Sequence, residues 1–364
     1  MQLFSCDHCG NTIYFENNLC EHCGHALGYL PEENALVSLD PAGDNAWTAP
    51  AVPGKTYIYC DNARHAACNW LVTKEEGGSI FCLACQHNET IPSLEDPHNL
   101  SRWQTIERAK KRLFYSLLRL GLPLETRAEN PEHGLAFRFL ADGDGNAPVM
   151  TGHENGIITI SLAEADDAER ERRRTGMGEP YRTLLGHFRH EIGHHYWDLL
   201  VREKPQEARY RELFGDERAD YGQALKTYYA NGAPAGWPAT HISAYATAHP
   251  WEDFAETFAH YLHITDTVEM AAAFGIRAKP RTGDESLALP PVRFDPYMAP
   301  DMSEIVDNWI PLASLLNNLN RAMGQTDAYP FVLSPPVIDR LAFVNDLVHQ
   351  APALEQLAAL EAVE

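Results

Sequence analysis

The apolar positions of this chain switch period along its length, and each switch marks a different kind of element. From about Asp96, the residues Leu100, Trp103, Ile106, Leu113, Phe114, Leu117, Leu118 and Leu120 recur at spacings of three and four. That is the period of one helix face, and Gly121 and Pro123 stop it. Arg108, Lys110, Lys111 and Arg112 colour the opposite face, which predicts a solvated surface. The period then becomes two over Leu135–Leu140 and Ile157–Leu162, the pattern of half-buried strands. Asn155-Gly156 is a hairpin signal, and Asp142-Gly143-Asp144-Gly145 is a turn. Asp142, Asp144 and Asn146 have the spacing that opens a calcium loop, but its later glycine and glutamate positions are not met.

The helical period returns at Pro180, which suits a first turn, and runs through Tyr181, Leu184, Leu185, Phe188, Ile192, Tyr196 and Leu199 to about Glu203. The charged stretch before it, 164–178, predicts an exposed linker. A second helix is expected from Asp216, as N-cap, to Ala230, ended by Asn231-Gly232. A third starts at His249-Pro250 and carries Trp251, Phe254, Phe258, Tyr261 and Leu262. After an irregular proline-rich stretch at 278–300, helices are expected over Ser303–Met323 and from Pro335 to about His349. At the other end of the chain, residues 31–55 hold several prolines and few periodic apolar positions. They predict a connection with one short strand at Leu36–Leu39. Strands are also expected at Tyr57–Tyr59 and Trp70–Thr73.

Composition narrows the class. With 45% hydrophobic and 22% charged residues, the chain is an ordinary globular one, long enough for a sizeable core. Its 29 basic and 51 acidic residues leave a net charge of -22, which argues against nucleic-acid or anionic-membrane binding and favours a basic or neutral substrate segment. There is no apolar run long enough to span a membrane, and Met1–Cys6 lacks the features of a signal peptide. A cytoplasmic address is the expectation.

All 8 cysteines fall before residue 86. Cys6-x2-Cys9 and Cys20-x2-Cys23 are two knuckles, each followed by a glycine, the pattern of a zinc ribbon. Cys60, Cys68, Cys82 and Cys85 form a second set, in which only Cys82-x2-Cys85 keeps the close spacing; His65 is a substitute ligand for its stretched half. Both sets predict structural zinc sites.

The chemistry centres on His190-Glu191-Ile192-Gly193-His194. On a helix, His190 and His194 stand one above the other, the spacing at which two imidazoles grip one zinc ion. Glu191 sits beside the metal, where its carboxylate can take a proton from a metal-bound water. A catalytic zinc needs a third protein ligand, and two carboxylate pairs compete. Asp216-x3-Asp220 is one, with Asp216 also explained as a cap. Glu252-x3-Glu256 is the other, and it is favoured because Glu256 lies between Phe254 and Phe258, where a carboxylate needs a partner. Either pair could give a ligand and a carboxylate that bonds a ligand histidine.

His190-Glu191-x2-His194, followed by Tyr245 and Glu252-Asp253-Phe254-Ala255-Glu256, is similar to the catalytic core of gluzincin metallopeptidases, anthrax lethal factor in particular. The wider layout, with Phe214-Gly215-Asp216-Glu217-Arg218-Ala219-Asp220-Tyr221 and His249-Pro250-Trp251-Glu252, resembles a bacterial family of zinc-binding metallopeptidases with N-terminal zinc ribbons. The resemblance implies a zincin fold, Glu252 as third ligand, and Tyr245 near the scissile carbonyl as oxyanion donor. His249 stands in reserve for that role; His187, His195, His260 and His263 read as satisfied structural histidines.

The expected protein is therefore α+β. Zinc ribbon 1 occupies residues 1–30, a linker and zinc ribbon 2 occupy 31–92, and a mostly helical zincin-like domain with a small sheet occupies 93–364. The expected activity is zinc-dependent hydrolysis of a peptide or protein substrate, with one catalytic and two structural zinc ions. A zinc-stabilised scaffold that recruits partners through its ribbons, and a non-peptide amidase or deacylase, are the alternatives. Oligomeric state is not legible.

Overall fold

The computed structural model describes residues 2–141, 149–177 and 183–361. The turn expected at Asp142–Asn146 and the helix start expected at Pro180-Tyr181 lie outside them. The fold is α+β, with small sheets followed by a mostly helical part. Its chain forms two compact units: Met1–Arg119 with Leu124–Arg173, and Leu120–Pro123 with Arg174–Glu364.

In the first unit, a short ribbon pairs β1 (Phe4–Ser5) with β2 (Thr12–Ile13). Five antiparallel strands then run in chain order across one sheet: β3 (Ala26–Leu30), β4 (Ala35–Gly43), β5 (Ala46–Thr48), β6 (Tyr57–Tyr59) and β7 (Leu71–Thr73). The strand expected at Leu36–Leu39 lies within the longer β4, and the expected connection over 31–55 also holds β5. Of its prolines only Pro41 lies in a strand, where the register shifts between Pro41 and Gly43; Pro31 opens a 3-10 turn, and Pro50 and Pro53 follow β5. Leu30, Val37, Leu39, Ala49, Tyr57 and Leu71 form its core.

A single turn, α1 (Leu83–Gln86), leads into β8 (Asn88–Thr90) and the long α2 (Pro97–Arg119). Three further strands, β9 (Ala136–Leu140), β10 (Gly152–Glu154) and β11 (Ile157–Ser161), join β8 in the order β10-β11-β9-β8. Asn155 and Gly156 turn the β10–β11 hairpin with φ of 49° and 79°, the two positive angles such a turn requires. The strand β8 has no apolar alternation and was not expected. Residues 164–178 are not a linker: α3 (Asp167–Met177) occupies most of them. None of its residues 167–172 is buried, and instead Asp166 caps the amides of Ala168 and Glu169 while Arg172 pairs with Glu169 one turn away.

The face of α2 expected to be solvated is exposed at Arg108 and Arg112 but not at the two lysines between them. Lys110 and Lys111 are 0% and 4% exposed, and both bond Glu107, which is 0% exposed. Helical period identifies the stripe that packs, but not a second neighbour on the other side.

The second unit is helical. Here α4 (Leu184–Leu200) starts at Thr183, whose hydroxyl accepts from the Gly186 amide at 2.9 Å. It is followed by the unexpected α5 (Glu207–Phe214), then α6 (Tyr221–Asn231), α7 (Pro250–Ala273), α8 (Met302–Ala322) and α9 (Pro335–Glu361). Asp220, not Asp216, caps α6, accepting from the Gln223 amide at 2.8 Å; Asp216 lies outside any helix. The helices α4 and α7 are the most closely associated pair. Phe188, Ile192, Tyr196, Phe254, Phe258 and Tyr261 are all buried in this unit, each contributing about 1.5–3 kcal/mol. Tyr196 stacks on Phe258, with ring centroids 5.6 Å apart.

Candidate metal centre

The site is built where α4 and α7 touch, and Gly193 sets how closely they do so. A Cβ placed there would lie 2.9 Å from the Cα of Ala255 and 3.2 Å from the Cβ of Phe258. The helix can therefore run backbone against backbone, which brings α7 carboxylates to α4 imidazoles. His190 and His194 present their rings edge to face, 4.9 Å between centroids.

The start of α7 aims Glu252. His249 is the N-cap, its Nδ1 accepting from the Trp251 amide at 3.1 Å, and Pro250 opens the helix. One turn in, Oε2 of Glu252 lies 3.0 Å from Nε2 of His190 and 3.6 Å from Nε2 of His194. One turn further, Oε1 of Glu256 accepts from Nδ1 of His190 at 2.7 Å, and its Oε2 accepts from the Ser243 hydroxyl at 2.5 Å. The Ser243 oxygen in turn accepts from the Ala246 amide. The ring of Trp251 covers His194 at 4.0 Å between centroids.

These contacts carry a chemical contradiction that a cation resolves. A neutral His190 that donates its Nδ1–H to Glu256 has only a lone pair at Nε2, and that lone pair faces the lone pairs of a buried carboxylate oxygen. Two acceptors so placed repel unless positive charge lies between them. Burial opposes charge on His190, yet Glu252 and Glu256 outweigh it and raise the pKa well above the ordinary value. The ligand atoms of His190, His194 and Glu252 all lie within 4.8 Å of one another. Two imidazoles and one carboxylate are the donor set of a catalytic zinc site, so the residues present could hold such an ion.

Glu191 is buried on α4 beside His190. Tyr245 sits in a 3-10 turn, Tyr245–Thr247, just ahead of α7, with its ring 5.9 Å from that of His190. Burial first, then the charge of Glu252, push its phenol far above the usual range, so it remains a hydrogen-bond donor.

The other candidates fall elsewhere. Asp216 is exposed and paired with Arg218 at 2.7 Å, and Asp220 is taken up as the α6 cap, so the geometry gathers Glu252 rather than either aspartate. With Nδ1 of His249 occupied by the Trp251 amide, its Nε2–H donates to the Ala219 carbonyl at 3.1 Å, which leaves no proton for an oxyanion. His260 and His263 bond Tyr329 and Arg189 respectively. Two residues close to the ligands carry no signal in periodicity or spacing. Ser243 is one; Tyr221 is the other, its hydroxyl donating to Oε1 of Glu252 at 2.5 Å.

The eight cysteines form two further groups in the first unit, Cys6, Cys9, Cys20 and Cys23, and Cys60, Cys68, Cys82 and Cys85. Sulfur atoms approach to 3.8 Å for Cys6–Cys23, and 3.7 Å for Cys9–Cys20 and for Cys68–Cys82. That is far longer than a disulfide, and it matches the edge of about 3.8 Å expected of a tetrahedron with 2.3 Å zinc–sulfur bonds. The stretched half of the second group is taken up by a 3-10 turn over Asp61–His65. His65 accepts from Arg64 and lies edge-on to Trp103, outside the group. Lys111 Nζ reaches Sγ of Cys85 at 3.2 Å. Glu107, Lys110 and Lys111 together carry one excess positive charge, and Lys111 directs it at the thiolate.

Residues 99–347 match the family described as "Putative zinc-binding metallo-peptidase". Residues 3–96 match a zinc-ribbon domain, a single span that takes in both cysteine groups. Uncharacterized proteins of Mycobacterium bovis and Mycobacterium tuberculosis are 43% identical over 357 residues, 98% of this chain and 98% of theirs. No solved structure matches. With a family match over most of its length and relatives of this similarity from end to end, the chain belongs to that zinc-binding metallopeptidase family and carries on its N-terminal side a zinc-ribbon domain with two four-cysteine sites.

Proposed function

We propose that this protein hydrolyses peptide bonds with a single catalytic zinc ion held by His190, His194 and Glu252. The observation that carries the reading is the meeting of three donor atoms within 4.8 Å, with Glu191 on the same helix beside them. Bound there, zinc supplies a Lewis acid that makes a water molecule more acidic and polarises a carbonyl. Glu191 takes the proton of the attacking water and passes it to the leaving amine. Tyr245 donates its phenolic hydrogen to the carbonyl oxygen as that oxygen turns anionic, a contribution of about 3 kcal/mol where such donors are removed. Glu256 keeps His190 in the tautomer whose Nε2 can act as a ligand, and Ser243 holds Glu256. The remaining ions occupy the two four-cysteine sites, which hold small cores together and take no part in catalysis.

The test uses the full-length protein, a peptide library, and mass-spectrometric mapping of the products. Cleavage should stop with 1,10-phenanthroline and with Glu191→Gln, the latter keeping three zinc ions per chain, while His190→Ala keeps two. Hydrolysis that persists in Glu191→Gln would overturn the mechanism. Release of acyl groups from non-peptide amides with no cleavage of any peptide would favour the deacylase alternative.

A further inference from the structure

The helix α6 buries none of its residues, yet its first side chain reaches into the metal centre. The hydroxyl of Tyr221 donates to Oε1 of Glu252 at 2.5 Å. Its ring meets His249 edge-on at 5.3 Å and Trp251 at 5.6 Å, and Trp251 is the residue whose tilted ring lies 4.0 Å from that of His194. Further along the same helix, Tyr228 meets Tyr245 edge-on at 5.6 Å. Tyr221 and Tyr228 therefore touch a ligand, the residues that orient the ligands, and the expected oxyanion donor.

A carboxylate has two equivalent oxygens, and when it can rotate both compete for the same cation. In Glu252 they are divided: Oε1 is committed to the phenol, and Oε2 alone faces the two histidines. We propose that Tyr221 is a positioning residue for the third metal ligand, holding Glu252 so that one oxygen is presented to the ion and the other is withheld. This rests on the function proposed above and adds to it a residue from outside α4 and α7. It also explains why an otherwise unburied helix lies against the site.

The experiment compares wild type with Tyr221→Phe, Glu252→Gln and Tyr229→Phe, all full-length. Tyr229 is 65% exposed on the same helix and serves as the control. Zinc affinity is measured by competition with a chromophoric chelator. In parallel, cobalt(II) spectra are recorded as differences from His190→Ala, which subtracts the two cysteine-held sites. Tyr221→Phe should retain the two cysteine-held ions, bind the third roughly 10- to 100-fold more weakly, and alter its cobalt bands, as expected when the support of a ligand is removed. Tyr229→Phe should match wild type. If Tyr221→Phe binds the third ion within twofold of wild type with the same cobalt spectrum, while Glu252→Gln loses it, this proposal fails and the metal site stands. If wild type binds no third ion, both fail.

Discussion

Gly193 and Ala255 meet backbone to backbone: an added Cβ at the glycine would sit 2.9 Å from the Ala255 Cα and 3.2 Å from its carbonyl oxygen. Neither neighbour is the far end of a flexible side chain, so nothing there can swing away. The first prediction follows. Gly193→Ala should gain about 1 kcal/mol of helix propensity and lose more, about 1–3 kcal/mol, to overpacking. It should also weaken the third zinc ion, because Glu252 and Glu256 ride on the displaced helix. Urea unfolding and metal content measure the two effects; a more stable variant with its full complement of metal contradicts the close approach.

Glu256 is half-buried and spends both oxygens, one on His190 and one on Ser243. Glu256→Ala should lower affinity at the third site by roughly 10- to 100-fold, and Glu256→Gln by less, since an amide oxygen still accepts from Nδ1. Chelator competition reads both. Equal affinities in all three proteins would mean that the ring of His190 is held by packing alone.

At the second cysteine group, burial opposes charge on Lys111, but the neighbouring thiolates and Glu107 outweigh it and raise its pKa well above the ordinary value. Lys111→Met should destabilise the first unit by roughly 3 kcal/mol, since it breaks a buried ion pair and leaves Cys85 without its cation. Faster release of a single zinc ion to a chelator is the specific readout. Unchanged release would make the contact incidental.

Two histidines of α7 make stability depend on pH. Burial lowers the pKa of His260 to about 4, and burial with the nearby Arg189 lowers that of His263 to about 3, against an unfolded value near 6.5. A pKa depressed in the fold means the unfolded chain binds more protons below about 6.5. The stabilisation is therefore complete above pH 6.5 and falls as the pH drops toward 4, by up to about 1.4 kcal/mol per unit for each histidine. Thermal unfolding between pH 7 and 5 should show the loss, and His260→Gln should flatten the slope. An identical slope in the variant would remove His260 from the account.

Much of this protein was legible locally. Leu100 through Leu120 announced α2, Asn155-Gly156 its hairpin, and Cys6-x2-Cys9 with Cys20-x2-Cys23 a knuckle pair, because each rests on chemistry repeated within a few residues of itself. Other expectations failed for want of a neighbour. Lys110 and Lys111 looked solvated because nothing in their own helix shows Asn88 and Cys85 on the other side. Asp216 looked like a cap because a good capping residue stood near a helix start, yet Asp220 alone reaches the free amide. Prolines between Pro31 and Pro53 hid the length of β4, of which only Leu36–Leu39 was expected, and the whole of β5, whose hydrogen bonds run to partners that no local period reveals.

The same division runs through the metal centre. The sequence by itself determined that two histidines would share one helix face with a glutamate beside them, since 3.6 residues per turn leaves no other arrangement for His190, Glu191 and His194. It could name Glu252 and Asp216 as rivals for the third position, but not choose between them by spacing. Tertiary structure separates their positions: Gly193 lets α7 approach, the His249 cap sets its first turn, and Glu252 then lies 3.0 Å from His190 while Asp216 turns to Arg218. The contacts of Tyr221 with Glu252 and of Ser243 with Glu256 enter only at that stage. Hydrogen bonds between side chains far apart in sequence have no period, and so nothing along the chain announces them.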